Sequence, residues 1–388
     1  MAGKILFISH DATRTGAPIV FLHQLEWLRR NSNFEMHFLL LDGGPLLEKF
    51  ERLGKVYLWK TKLQPANVFQ RGVNKVSRLI KPQKSYQEKL IKLLDQVGFE
   101  LIYSNTVASH LVAADLKKKL NIPWISHIHE MPYSIDAFYK KAMAKEILDL
   151  IDVKIVVSKA TRNLLLQNYP IQANRLKLIY ECVPLGISEK ATDSIEDIKK
   201  GWGSQDDFIV GGSGVMSWRK GIDLFINISR IIESKPEGKK IKFVWVGELK
   251  NEVVQGYYYE CQRLGVKPSI VFTGSTAQPL KYFQAFDIFI LTSREDPFPL
   301  VCLEAATIGK PVLCFEESGG IPELIENGGG SIIPYLDVEA FSNEILKYAS
   351  NSTLCEESGE KVRLAVSNYD VEAVAPSILT LIQETIVA

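Results

Sequence analysis

The sequence predicts an α/β protein with two doubly wound, parallel-sheet domains in series, and three observations support this prediction. Short apolar runs rich in Ile, Val and Phe alternate with longer helix-like segments, a pattern typical of parallel sheets covered on both faces. The 388 residues exceed what one core usually holds. The alternation breaks once, at a polar segment. We therefore expect an N-terminal domain at 1–187, a linker at 188–206, a C-terminal domain at 207–368, and a final helix at 369–388 that can pack back across the cleft.

The individual elements follow from these runs. Strands of the first domain are expected at 5–8, 36–41, 56–59, 101–103, 124–126, 153–157 and 176–180. Strands of the second are expected at 208–211, 242–246, 270–272, 288–291, 311–314 and 331–333. Helices are expected at 19–30, 106–120, 222–232, 300–308 and 371–387. Because the carboxyl ends of parallel strands and the helix N-termini share one edge, a ligand is expected in the cleft between the domains.

Composition argues against several classes of protein. Lys plus Arg (46) balances Asp plus Glu (45), so no nucleic-acid partner is expected. The five cysteines are odd in number and widely spaced, which disfavours a disulfide framework or a zinc ribbon. The first apolar segment, 4–9, is too short for a signal peptide, and no run is long enough to span a bilayer. A cytoplasmic location is therefore expected.

Residues 60–92 form a basic stretch with apolar residues interleaved. Its cations are Lys60, Lys62, Arg71, Lys75, Arg78, Lys81, Lys84, Lys89 and Lys92, and Glu88 is its one acid. One interpretation is a solvated, partly flexible face. The other is peripheral contact with the inner face of an anionic membrane, or with a phosphorylated acceptor.

The most informative segment follows the predicted strand at 288–291. Its two prolines, at 297 and 299, exclude a helix from the loop, so a helix begins near residue 300 at the carboxyl end of the strand. Free N–H groups at such a start favour anions and sugar hydroxyls. Asp296 and Glu304 can bring two carboxylates to one ligand. The alternative is a simple N-cap and a surface charge.

A glycine-rich segment, 211–221, follows the first strand of the second domain. Its glycines let the backbone approach a phosphate, and Arg219 and Lys220 can stabilise the charge on a leaving diphosphate. The alternative is an ordinary β–α turn with exposed basic residues. A dinucleotide oxidoreductase is disfavoured, because position 217 is Ser where the fingerprint needs a third glycine.

In the first domain, two polar segments follow predicted strands. The small residues Gly16 and Ala17 permit close approach to a ligand, or merely a tight connection. His127 and His129 share one face of an extended chain, but a metal site there would need further ligands. No metal and no other cofactor is therefore expected.

The run from Ser293 through Glu304 to Pro311 resembles the signature of retaining glycosyltransferase family 4, the glycosyl transferases group 1. The resemblance covers nearly the whole chain and is strongest in its second half. It implies a GT-B architecture, with two Rossmann-like domains facing a central cleft. It also implies retaining sugar transfer from a nucleotide-sugar donor to a glycan, lipid-linked or small-molecule hydroxyl, in cell-surface polysaccharide or glycoconjugate biosynthesis. The sequence has no Asp-x-Asp motif of the kind that holds a metal diphosphate, in agreement with a metal-independent site.

The resemblance also implies roles for individual residues. The catalytic set is His129, Arg219, Lys220 and Asp296, and the donor-binding set is Gly16, Ala17, Gly214, Phe298, Pro299, Leu300, Val301, Glu304 and Glu323. Glu130 is placed at the acceptor. Asp296 stands where the family usually has glutamate, and Glu295 beside it is the alternative residue for that role. Val215 stands where the family usually has arginine, so Arg219 is the other source of that charge.

Two other functions are kept open, the first by the departures at Asp296 and Val215 and the second by a similar architecture. A nucleotide-sugar-binding pseudoenzyme that serves as a partner subunit would keep the donor site and lack turnover. A GT-B-like sugar-nucleotide epimerase would act on the donor without any acceptor.

Overall fold

A computed structural model describes residues 3–60, 75–139, 141–185, 194–203, 206–247 and 251–387. The chain forms two compact units. The first consists of Met1–Val156, Leu164–Ile179 and Ala375–Ala388, and the second of Val157–Asn163 and Tyr180–Val374. Each unit contains one parallel sheet with helices, which confirms the predicted α/β class.

The sheet of the first unit has seven strands among the described residues. They are β1 (Lys4–Ser9), β2 (Glu35–Leu40), β3 (Lys55–Leu58), β4 (Leu101–Asn105), β5 (Trp124–Ile128), β6 (Val153–Val156) and β7 (Leu176–Leu178). Their order is β3-β2-β1-β4-β5-β6-β7, and every neighbouring pair is parallel. The order reverses between β1 and β4, where Ile5 pairs with Leu101. In doubly wound sheets this reversal opens a crevice at the carboxyl edge.

The sheet of the second unit has six strands among the described residues. They are β8 (Phe208–Ser213), β9 (Ile241–Val246), β10 (Ile270–Gly274), β11 (Ile288–Leu291), β12 (Val312–Phe315) and β13 (Gly330–Ile333). Their order is β10-β9-β8-β11-β12-β13, again all parallel, and it reverses between β8 and β11. Each of the thirteen predicted strands is confirmed, with shifts of one or two residues at some ends.

The helices cover the described part of the chain between these strands. They are α1 (Gly16–Asn31), α2 (Leu47–Leu53), α3 (Lys75–Asp95), α4 (His110–Leu120), α5 (Pro132–Phe138), α6 (Lys141–Leu150), α7 (Lys159–Asn168), α8 (Ile195–Gly201), α9 (Ile222–Glu233), α10 (Asn251–Arg263), α11 (Pro279–Phe283), α12 (Leu300–Thr307), α13 (Ile321–Ile325), α14 (Val338–Ala349), α15 (Ser352–Ala365) and α16 (Val371–Val387). Among the described residues, no helix has the length and apolar character that crossing a bilayer requires.

Apolar strands buried on both faces hold each sheet in place. In the first unit Phe7 of β1 is fully buried, and its ring lies 5.7 Å from Phe38 and 5.6 Å from Tyr103. In the second unit the ring of Phe225 on α9 lies 5.1 Å from Trp245 of β9. Such packing excludes water from the sheet faces and leaves the strand ends for polar side chains.

One predicted segment differs from the structure, and another lies partly outside the described residues. Part of the expected linker is helical: α8 begins after Ser194, whose hydroxyl accepts the N–H of Asp197, and Trp202 just beyond it is buried on Phe286. In the basic stretch, residues 61–74 lie outside the described residues. The predicted membrane contact there therefore stays a prediction.

Candidate functional site

The candidate site of the second unit lies at the carboxyl ends of β8 and β11. Gly221 joins the loop after β8 to α9 with φ +67°, and a Cβ at this position would lie 1.9 Å from the carbonyl oxygen of Thr292. Only glycine combines this φ with so close an approach. The hydroxyl of Thr292 donates to the carbonyl of Lys220 at 3.1 Å. The loop after β8 and the loop after β11 therefore lie directly against each other.

This contact brings together three of the predicted catalytic side chains. Lys220 Nζ pairs with Asp296 Oδ2, and Arg219 Nη1 lies 3.4 Å from Asp296 Oδ1. Arg219 Nη1 also donates to the carbonyl of Glu295 at 2.7 Å, and the Ser293 hydroxyl donates to Asp296 Oδ2 at 3.1 Å. Both cations therefore contact the carboxylate of Asp296.

Asp296 is ionised in spite of its burial. Its side chain is only 6% exposed, and burial alone would raise its pKa. The positive charges of Lys220 and Arg219 outweigh burial, so the pKa of Asp296 lies below its ordinary value. The three side chains together carry a formal charge of +1, because two cations face one carboxylate. The cluster can therefore attract an anion.

The loop after β11 is fixed by a second set of backbone contacts. Asp296 N donates to the carbonyl of Ser318 at 2.6 Å, and Gly320 N donates to the carbonyl of Pro297 at 2.9 Å. Gly319, at φ +143°, makes the bridge to Asp296, and a Cβ there would lie 1.6 Å from the Asp296 carbonyl oxygen. This glycine therefore cannot be replaced without moving the loop that carries Asp296.

Helix α12 begins directly after this loop. Pro299, whose side chain has no hydrogen-bonding atom, stands in the cap position, so the first-turn N–H groups of Leu300 and Val301 point beyond the helix start. Glu304 lies half-buried further along the same helix. The predicted donor-binding residues from Phe298 to Glu304 thus lie on one loop and one helix next to the cation cluster.

Gly214 lies at the end of β8 with φ +144°. Its carbonyl accepts the indole N–H of Trp245 at 2.9 Å, and a Cβ on Gly247 would lie 1.9 Å from the same oxygen. These contacts fix the glycine-rich loop at its first residue. Val215, which follows, offers no charge, so the cations of this loop come from Arg219 and Lys220.

Glu323, which the resemblance assigns to donor binding, contacts residues of the second unit that are distant in sequence. Its carboxylate accepts the N–H groups of Lys159 at 3.2 Å and Ala160 at 3.0 Å, at the start of α7. It also accepts the hydroxyl of Tyr180 at 2.7 Å. The Tyr180 ring packs on Phe298 at 5.4 Å. Glu323 thus caps a helix and anchors an aromatic neighbour of α12, and no local sequence pattern signals contacts over 140 residues.

The first unit brings its predicted residues to the edge next to β4 and β5. His129 Nε2 lies 2.6 Å from Asn105 Oδ1, and the Asn105 amide donates to the carbonyl of Ala17 at 3.2 Å. Asn105 was missed from the sequence, although the end of a strand beside a reversal is where such a residue is expected. Gly16 and Ala17, expected in a loop before a helix at 19–30, are the first two residues of α1, and Asn105 connects this helix start to the histidine.

Glu130 and His127 form hydrogen bonds with nearby residues of the first unit. Glu130 Oε2 accepts the N–H groups of His129 at 3.0 Å and Val107 at 3.2 Å. His127 is fully buried, and Tyr103 contacts its Nδ1 at 2.9 Å. Burial holds the pKa of His127 well below its ordinary value, so this ring is neutral.

Two family models match the chain, one on each half. Residues 15–186 match the model described as Glycosyltransferase Family 4, and residues 194–365 match Glycosyl transferases group 1. Together the two matches cover most of the chain.

Curated relatives match over part of their length. An uncharacterized glycosyltransferase of Methanocaldococcus jannaschii is 26% identical over 64% of this chain and 65% of its own length. The capsular polysaccharide biosynthesis glycosyltransferase CapM of Staphylococcus aureus is 26% identical over 42% of each. The chain therefore spans about two fifths to just under two thirds of these relatives.

Solved structures share the fold over the full chain. HepE of Anabaena, crystallised with UDP and glucose, superposes with a TM-score of 0.81 at 20% identity, covering 98% of this chain and 100% of its own. HepE has also been crystallised with UDP-glucose, where the TM-score is 0.80. At this identity the likeness concerns the fold alone.

Proposed function

The chain belongs to the family of Glycosyl transferases group 1 and Glycosyltransferase Family 4 and has the GT-B fold, and from this premise we propose that it is a retaining, metal-independent glycosyltransferase. We propose a nucleotide sugar as its donor. The observation that carries the proposal is the cluster in which Arg219 and Lys220 converge on buried Asp296 beside the start of α12.

Glycosyl transfer requires a group that stabilises the departing nucleoside diphosphate. The surplus positive charge of Arg219 and Lys220 can stabilise it, together with the N–H groups at Leu300 and Val301. These groups supply the positive charge that a divalent ion provides in metal-dependent transferases. Asp296 holds both cations in place before the donor arrives, which lowers the cost of orienting them during the reaction.

In the proposed reaction the bond between the anomeric carbon and the diphosphate oxygen breaks while positive charge builds on the sugar ring. The acceptor hydroxyl attacks from the face that the diphosphate leaves, which retains the anomeric configuration. Its proton passes to the departing phosphate oxygen, so the products are the glycoside and the nucleoside diphosphate. Glu304 is proposed to hold the ribose hydroxyls. His129, oriented by Asn105, is proposed to contact the donor sugar.

We propose a uridine diphosphate sugar as donor, because HepE was crystallised with UDP-glucose. We propose a glycan or lipid-linked hydroxyl as acceptor in cell-surface polysaccharide synthesis, because CapM is a capsular polysaccharide biosynthesis glycosyltransferase. Both proposals concern the chemical class only.

A thermal-shift screen with UDP-, GDP-, ADP- and dTDP-sugars in the presence of EDTA tests the donor and the metal together. A ligand that binds only the folded protein stabilises it by about 2.7 kcal/mol at 100 times its Kd. We expect stabilisation by UDP-sugars, unchanged by EDTA. Stabilisation that disappears with EDTA would contradict metal independence, and stabilisation by another nucleotide would change the donor class.

Lys220→Met tests the role of the cluster, and Lys310→Met is a matched control. Lys310 is also half-buried in the second unit, but its Nζ donates to the carbonyl of Gln284 at 2.9 Å. We expect Lys220→Met to lower UDP release from UDP-glucose by about 100-fold, the effect of removing one preorganised charge. Lys310→Met should leave it unchanged. Equal rates for both variants would refute the role of Lys220.

The two departures from the family pattern, Asp296 and Val215, are the observations behind one alternative, a nucleotide-sugar-binding pseudoenzyme. Donor binding without UDP release across a panel of saccharide acceptors would support it. Conversion of the donor sugar with no acceptor present would instead indicate an epimerase.

A further inference from the structure

Arg294 lies between Ser293 and Glu295 in the loop after β11, and its guanidinium contacts both a carboxylate and a backbone carbonyl. Its guanidinium makes a two-pronged pair with Asp223 in the first turn of α9, with Nη1 2.8 Å from Oδ1 and Nη2 2.6 Å from Oδ2. Nη1 also donates to the carbonyl of Trp218 at 2.7 Å. The side chain is 13% exposed.

The backbone of the same residue continues this connection. Arg294 N donates to the carbonyl of Arg219 at 2.8 Å, and its own carbonyl accepts the hydroxyl of Tyr335 at 3.1 Å. The guanidinium carbon lies 4.9 Å from the centre of the Trp218 ring, within the range of a cation–π contact. Trp218 is 54% exposed, and Arg294 is one of the residues that its ring contacts.

The contacts of Arg294 enclose the two residues that approach Asp296. Arg219 and Lys220 occupy a single 3-10 turn that begins at Trp218, and Asp223 follows three residues after the turn ends. Arg294 contacts Trp218 before the cations and Asp223 after them. A shift of the turn would therefore break contacts on both sides.

We propose that Arg294 is a positioning residue for sugar transfer. By bonding Trp218 and Asp223 on either side of the 3-10 turn, it holds Arg219 and Lys220 beside Asp296, where both cations can meet the leaving diphosphate. This inference rests on the proposed function and deepens it. The hydrogen bonds of the Arg294 guanidinium go to Trp218 and Asp223, so its effect on the cations at Asp296 is transmitted through the turn.

The geometry requires arginine rather than any cation. A planar guanidinium can bond both oxygens of Asp223 and the Trp218 carbonyl at once, whereas a lysine ammonium is a single point donor. Arg294→Lys keeps the charge near the cluster and loses the fork. This substitution therefore separates a role in clamping from a role in attracting the anionic donor.

The test measures kcat and KM for UDP release from UDP-glucose in wild type, Arg294→Lys, Arg294→Met and Asp223→Asn. Arg363→Met is the matched control, because Arg363 makes a two-pronged pair with Glu360 on α15. We expect Arg294→Lys and Arg294→Met to lower kcat by about 10- to 100-fold, the effect of misplacing reacting groups by about an ångström. KM should change less, and Arg363→Met should match wild type.

A double-mutant cycle completes the test. If Asp223 and Arg294 act as one clamp, Arg294→Met with Asp223→Asn will be no slower than the slower single variant. Should Arg294→Met fail to fold, Arg294→Lys and Asp223→Asn carry the comparison, with circular dichroism as the check on folding.

Two kinetic results would overturn the inference alone: wild-type kcat in Arg294→Lys, or fully multiplicative losses in the double variant. A fall in melting temperature with kcat intact would also overturn it, since a purely structural role predicts that pattern. If wild type neither binds UDP-glucose nor releases UDP from it, the proposed donor and function fail first, and the inference fails with them.

Discussion

Replacing Asp296 with asparagine is the most direct perturbation of the candidate site. The amide has nearly the same shape as the carboxylate but removes the negative charge that Lys220 and Arg219 share. Because the side chain of Lys220 is 14% exposed and that of Arg219 32%, neither cation regains full solvation when its partner becomes neutral. The variant therefore keeps two poorly compensated positive charges.

The size of the effect follows from burial. Breaking a buried ion pair by removing one partner costs about 3–5 kcal/mol. We take a loss of about 3 kcal/mol, the lower end of this range, because about a third of the Arg219 side chain is exposed to water. For a unit of this size, each kcal/mol shifts the melting temperature by about 2–4 °C, so a drop of about 6–12 °C is expected.

The assay is chemical and thermal unfolding of wild type and Asp296→Asn at several pH values. The pKa of Asp296 in the folded protein lies below the ordinary value of 3.8, because the neighbouring cations outweigh burial. An acid with a depressed folded pKa stabilises the fold above its unfolded pKa and loses that contribution as pH falls through the folded value. The difference between the two proteins should therefore be constant from pH 5 to 7 and shrink below about pH 4.

Asp42→Asn provides the control, because Asp42 pairs with Lys60 at 2.7 Å but both side chains are more than half exposed. An exposed pair of this kind contributes about 0–1 kcal/mol. If Asp296→Asn cost no more than Asp42→Asn, the cluster would not be a buried, charge-compensated site. A difference that grew on acidification would contradict the ionised state of Asp296.

Two further predictions concern the glycine contact and a buried histidine. Gly221→Ala should lower the free energy of unfolding in urea by more than about 2 kcal/mol, because its Cβ would overlap the Thr292 carbonyl and φ is +67°. Gly256→Ala within α10 is the control. A Cβ there meets open space among the described residues, so this variant should be neutral or more stable by up to about 1 kcal/mol. Burial, and then Lys154, lowers the pKa of His110 to about 3, so the unfolded chain binds a proton that the folded protein does not. Wild type should therefore lose stability as pH falls from about 6.5 toward 3, and His110→Gln should lose less between pH 7 and 5.

The fold could be predicted from the sequence because parallel strands buried on both faces leave continuous apolar runs. Runs such as 288–291 and 242–246 cannot be mistaken for exposed alternating strands, and the glycine and proline residues after them mark where each strand ends. The short helix α8 was missed because its residues are mostly charged. Its stability comes from a Ser194 cap and from buried Trp202, both tertiary or local contacts that periodicity does not report.

The candidate site was predictable to the level of loops but not of contacts. The sequence indicates that Asp296 and Lys220 each lie in a segment that follows a predicted strand, and the structure places them in one ion pair. The sequence does not indicate that Glu323 caps α7 or that Arg294 reaches Asp223. The first contact joins residues 163 positions apart, and the second joins residues 71 positions apart. The resemblance assigns Glu323 to donor binding, and that role stays a prediction beside the hydrogen bonds that its carboxylate accepts from backbone N–H groups.

The departures from the family pattern become intelligible when they are considered together. An aspartate has one methylene fewer than a glutamate, so Asp296 stays close to its own loop and meets cations that approach from the turn after β8. Arg219 makes this approach and bonds the neighbouring Glu295 carbonyl, while Val215 contributes no charge. In the proposed site Arg219 provides the positive charge that Val215 lacks, and it does so from a turn that Arg294 holds through Trp218 and Asp223.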